Sequence, residues 1–171
     1  MTPEFSRPFR IDTLGEGARE VAIEAGEAER AALATRFALA AIDALSAKAS
    51  LTRKGETVLA AGELQAQVTQ ICVASGAPLP VHVSESFALR FVPTLGVEEQ
   101  EEVELEASDC DVVEYVDGAI DLGEAVAETM ALALDPFPRS PDADAILKAA
   151  GVVDEIQLGP FAALKALRDK L

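Results

Sequence analysis

Residues 44–72 read ALSAKASLTRKGETVLAAGELQAQVTQIC, and they alternate. Leu45, Ala47, Ala49 and Leu51 fall on one side, with Ser46, Lys48, Ser50 and Thr52 on the other. A period of two is the signature of a strand with one buried face. Lys54-Gly55 interrupts the pattern as a turn, after which Leu64, Ala66 and Val68 oppose Gln65, Gln67 and Thr69. Ser75-Gly76-Ala77-Pro78 is a second turn signal. Beyond it, PVHVSESFALRFV places Val81, Val83, Phe87, Leu89 and Phe91 on one face. Three successive strands joined by turns predict an antiparallel meander.

The flanks complete the outline. Upstream, EFSRPFRI sets Phe5, Arg7, Phe9 and Ile11 on one side of an extended segment, and Pro8 favours a sheet edge. REVAIEA reads as a second strand. The Ala- and Glu-rich run that follows, with no proline and with Leu33 and Phe37 four apart, predicts a helix over 27–37. Downstream, DVVEYV reads as a strand ending at Asp117-Gly118. Asp121 is suited to cap a helix, Glu124 completes a capping-box pattern, and Leu122, Val126, Met130 and Ala133 form its apolar stripe until Pro136. A short helix is expected over 143–150. The expected fold is α+β in one domain, residues 1–171. It has an antiparallel sheet, curved or partly closed into a barrel, packed by two main helices and followed by a C-terminal amphipathic helix. An acidic loop at 96–109 and a tail at 139–171 complete it.

Composition narrows the function. Half of the residues are apolar, so a core is expected, and two cysteines do not make a disulfide framework. The N-terminus shows no hydrophobic signal segment and no run is long enough to span a bilayer, so a cytoplasmic protein without membrane partners is expected. Net charge is −16; between Arg90 and Arg139 there are fourteen acidic residues and no Lys or Arg. Nucleic-acid binders show the opposite balance.

Chemical motifs are sparse. Cys72-Val73-Ala74-Ser75 resembles half of a Cys-x-x-Cys pair with one sulfur missing; Cys110 and the single His82 stand apart. Structural zinc takes four N or S ligands, so no metal site is expected, and Cys72 reads as a small apolar residue ending a strand. No serine elbow accompanies His82, Gly15-Glu16-Gly17 and Gly123 match no phosphate loop, and the glutamate run reads as a solvated loop. No catalytic residue, cofactor or small-molecule substrate is expected. At the C-terminus, Phe161, Leu164, Leu167 and Leu171 recur at helical spacing, with Lys165, Arg168 and Lys170 off the stripe. Such a segment either docks on its own sheet or inserts into a partner's groove.

The segments EFSRPFRID, VTQICVAS, VEYVDGAIDLGEAVAETMALALDPFPRSP and GPFAALKAL together resemble the YceD family, the large ribosomal RNA subunit accumulation proteins, most closely its alphaproteobacterial branch. Many members carry Cys-x-x-Cys where this chain has Cys72 and Ser75, and some carry further cysteines after the Pro-rich exit, which here reads PFPRSPDADA. The resemblance therefore implies a metal-free version, its turn held by Gly76 and Pro78. It implies a role in synthesis, processing or stability of large-subunit (23S) rRNA, without catalysis. Taken with the charge, it points to contact with a ribosomal or rRNA-processing protein, and with rRNA only indirectly. Glu98, Glu99, Glu101 and Glu102 would meet a basic partner, while Phe161, Leu164, Leu167 and Arg168 would anchor it. The alternative is direct RNA binding by Arg7, Arg10, Arg53, Lys54 and Arg90, with Phe5 and Phe9 stacking on bases.

Overall fold

The computed structural model describes residues 3–94 and 111–152. They divide into two compact units, one formed by 3–70 with 80–94 and 111–135 and a smaller one by 71–79 with 136–152.

The larger unit is built on the alternating run. Strand β3 (Ala41–Lys54) pairs antiparallel with β4 (Thr57–Ile71), from Ala41↔Thr69 to Lys54↔Thr57. Gly55, at φ +64°, supplies the left-handed residue of the connecting turn. Leu45, Leu51, Val58 and Leu64 are fully buried, with Ala47, Ala49, Ala60 and Ala66 between them. Within the sheet β3 and β4 crowd at Gly62, paired with Ala49, where a Cβ would collide with the Lys48 carbonyl oxygen of the neighbouring strand.

β2 (Arg19–Glu24) adds antiparallel to β3, and β5 (Pro78–Pro93) lies beside β4. The fifth strand, β6 (Asp111–Tyr115), joins β5 in parallel, from Leu89↔Asp111 to Pro93↔Tyr115. The expected all-antiparallel sheet is thus corrected to a mixed one, because alternation reports which face a side chain takes and carries no information on strand direction. The barrel is corrected as well. The order β2-β3-β4-β5-β6 is open, with β2 and β6 as its edges. The N-terminal strand does not close it, since β1 (Pro8–Arg10) pairs instead with β7 (Ala119–Asp121) in a separate two-stranded ribbon.

The two main helices fall where the sequence puts them. Helix α1 (Glu27–Arg36) contacts β3. Its first turn is closed by Glu29, whose Oε2 accepts from the Gly26 N–H at 2.7 Å. Helix α2 (Leu122–Leu132) is capped by Asp121, whose Oδ1 accepts from the Glu124 N–H at 3.2 Å. Leu122, Val126 and Met130 are fully buried, whereas Ala133 lies past the last turn and is exposed. Gly123 allows the N-terminal segment to lie against α2, for a Cβ would meet the Phe5 carbonyl oxygen at 2.4 Å.

The smaller unit contains the turn after β4 and helix α3 (Ala143–Ala149). Its turn is closed by Gly76 N–H to Cys72 O (2.9 Å) and Cys72 N–H to Ala77 O (2.8 Å), with Gly76 at φ +72°. The Val73 N–H donates to Pro138 O at 2.9 Å and joins the two segments. Among the described residues no helix is long and apolar enough to cross a membrane.

Candidate functional site

The chemistry-bearing side chains of the larger unit converge on its N-terminal segment, where they bind one another. Arg7 forms a two-pronged pair with Glu29, at 2.7 and 2.9 Å, and also donates to the Ser6 and Glu24 carbonyls. The Glu29 hydrogen bond raises the Arg7 pKa, and the Arg7 hydrogen bond holds Glu29 below the usual carboxylate range. Asp121 serves two elements at once. While capping α2 it accepts from the Arg7 N–H at 2.8 Å and from the Ser6 hydroxyl.

Arg36, at the end of α1, is the other hub. It bonds Glu4 at 2.9 Å and Glu124 at 2.7 Å, lies 3.7 Å from Glu128, and stacks over Phe37. Its pKa is raised, first by the hydrogen bond it donates to Glu124. Glu124 therefore does not complete the expected capping box around Asp121 with its side chain; its carboxylate faces Arg36. No spacing rule connects residue 36 to residue 124, so sequence reasoning passed this cluster over.

The residues considered for RNA contact are placed as follows. Phe5 is fully buried, with Arg7 stacked over its ring at 4.6 Å, so it presents no face to a base. Phe9 is partly buried beneath Arg19 at 5.7 Å. Arg10 pairs with Asp12 at 2.6 Å, which lowers the Asp12 pKa. Arg53 donates to Gly55 O and Ile11 O, and Lys54 is exposed at the adjoining turn. Arg90, half-buried on β5, stands opposite Val112 of β6, and its Nε has no hydrogen-bond partner among the described residues. Arg10 and Arg53 thus come together at Ile11, with Lys54 next along β3, and Arg7 belongs to a different cluster. The partner-contact residues Glu98, Glu99, Glu101, Glu102, Phe161, Leu164, Leu167 and Arg168 lie outside the described residues.

An open groove of about 460 Å³ separates α1 from the start of β3, lined by Glu27, Arg30, Thr35, Leu39, Ile42 and Asp43 among others. Arg30 is tied to the Ala25 carbonyl at 2.6 Å. Among the described residues no three His, Cys, Asp or Glu side chains are grouped to hold a metal ion.

In the smaller unit Cys72 is buried and its thiol meets Ser140. The thiol lies 3.5 Å from Ser140 Oγ, and its sulfur accepts the Ser140 N–H at 3.3 Å. Hydrogen bonding by Ser140 first, and then by Ser75, pulls the thiol down from 9.0 to about 6 against the opposing effect of burial. The same unit leaves Ile71, Val73 and Phe137 largely exposed.

These features describe an α+β protein. A family model described as "Large ribosomal RNA subunit accumulation protein YceD" matches residues 60–168, well over half of the chain, and the chain belongs to that family. The match spans β4 to the C-terminal region and leaves out the N-terminal landmark EFSRPFRID. No curated protein and no solved structure matches this chain.

Proposed function

We propose that the protein supports large-subunit rRNA accumulation as a non-enzymatic factor acting through protein contacts. Family membership supports the rRNA role. The observation that carries the protein-contact reading is the internal neutralisation of the arginines. Arg7, Arg10, Arg36 and Arg139 each hold a carboxylate, while Arg30 and Arg53 hold carbonyls. Phosphate binding needs cations free to release counterions, and a chain of net charge −16 has few to offer. A basic protein partner suits it better, with carboxylates steering the approach and exposed apolar side chains such as Val73 and Phe137 adding contact area.

The test uses the purified full chain and basic large-subunit ribosomal proteins, with and without ribonuclease. Binding that survives ribonuclease and weakens on neutralising Glu98, Glu99, Glu101 and Glu102, or on truncating Phe161 and Leu164, supports the reading. Salt-sensitive binding to rRNA fragments, lost in R53A/K54A and indifferent to the carboxylates, would transfer the function to the Arg10–Arg53–Lys54 corner. That second reading has the clustering around Ile11 in its favour.

A further inference from the structure

The buried centre of the smaller unit is unusual in being polar and small. Cys72, Ser140 and Ala143 are 1%, 8% and 2% exposed, and none belongs to the main hydrophobic cluster. They lie in two turns with one spacing. Position 72 is followed three residues later by Ser75, and position 140 three residues later by Ala143. The first turn runs into Gly76 at φ +72°, with its N–H on the Cys72 carbonyl. The second is closed by the Ala143 N–H on the Ser140 carbonyl at 3.0 Å. The leading residues of both turns meet, as Cys72 Sγ takes the Ser140 N–H at 3.3 Å. Two ligand pairs, each spaced i, i+3 on facing turns, are the arrangement that holds structural zinc through four sulfurs.

The side chains do not fit that ion. Only Cys72 offers a thiolate; Ser75 and Ser140 offer neutral hydroxyls, and Ala143 offers no donor. We propose that this unit is a zinc-knuckle frame held together without metal. In it the Cys72 sulfur, hydrogen-bonded to Ser140, supplies the link between the two turns that a tetrahedral ion would otherwise make. Sulfur returned to positions 75, 140 and 143 is expected to restore the site.

The experiment uses the full chain, titrated with Co(II) and then Zn(II). The triple variant S75C/S140C/A143C is expected to take up one Co(II) with the strong d–d and thiolate charge-transfer bands of a tetrahedral S4 site, and to exchange it for Zn(II). The unaltered protein is expected to show no such bands and no stoichiometric zinc by elemental analysis. A folded triple variant that binds no cobalt, or binds it with octahedral bands, overturns the proposal. So does zinc bound one-to-one by the unaltered protein and lost in C72A. Should the triple variant be insoluble, S140C alone decides. Mild oxidation is expected to join position 140 to Cys72 as a disulfide, seen as a loss of two hydrogens from the mass of the peptide pair. Failure to cross-link in folded S140C overturns the facing of the two turns. None of these outcomes bears on rRNA accumulation, so the proposal and the functional reading stand or fall separately.

Discussion

Two single residues carry consequences out of proportion to their size. Gly62 has no room for a methyl group, because the obstruction is the Lys48 backbone and cannot rotate aside. Gly62→Ala is expected to cost about 1–3 kcal/mol or more, since overpacking at a backbone contact forces the strands apart. A denaturant melt that leaves the midpoint unchanged would refute the close approach of β3 and β4. Cys72 makes a pH-dependent contribution. Its folded pKa of about 6 lies below the ordinary 9.0, so the unfolded chain binds the proton more tightly. The stabilisation is full above about pH 9, declines as pH falls, and is gone once pH passes below about 6. Thermal melts of the unaltered protein and C72A should therefore diverge as pH rises from 6 to 9; parallel curves would mean that the thiol stays neutral.

At the level of the elements, Asp121 and Arg36 join helices to the segment that precedes the sheet. Asp121→Ala removes the α2 cap and the acceptor for Arg7 N–H together, and should cost about 1–2 kcal/mol. Asp121→Asn should recover much of this, because an amide oxygen can still cap. Arg36→Ala should cost about 1 kcal/mol through the half-exposed Glu124 pair, with the difference shrinking in high salt. Elements of this kind were legible in the sequence to different degrees. The residues 44–72 announced β3 and β4 because period two survives over a long run, and α1, α2 and α3 were readable from spacing and caps. The parallel direction of β6 was not, since Val113 and Tyr115 would bury equally well in either direction. The smaller unit was hidden because its two segments are far apart in the chain, with Cys72 and Ser140 separated by 68 positions, and neither shows a period. The Cys72–Ser75 half-motif was visible, but nothing in the spacing pointed to Ser140. The Arg36 cluster was invisible for the same reason, its partner Glu124 lying 88 residues on.

Over the whole molecule, charge is the dominant property. A net −16 makes association with a basic protein fast at low ionic strength. The on-rate for such a partner is expected to fall steeply between low and physiological salt while the off-rate changes little, a pattern stopped-flow or surface kinetics would resolve. Equal salt sensitivity in both rates would place the charges within the bound interface and remove them from steering.

The β1–β7 ribbon adds a constraint on timing. The Arg7 amide and the Asp121 carboxylate that receives it are separated by 114 positions. Translation at about 5–20 residues per second puts roughly 6–23 s between the emergence of one and the other. During that interval the β3–β4 hairpin, whose contacts are local, can already form and Arg7 can meet Glu29, while Phe5 still lacks the helix α2 against which it lies. Docking of the N-terminal segment therefore waits for α2, more than a hundred residues later in synthesis. A substitution at Gly123 or Asp121 would act as a delay in that step, leaving a nascent protein whose sheet is built and whose Phe5 is open to chaperones.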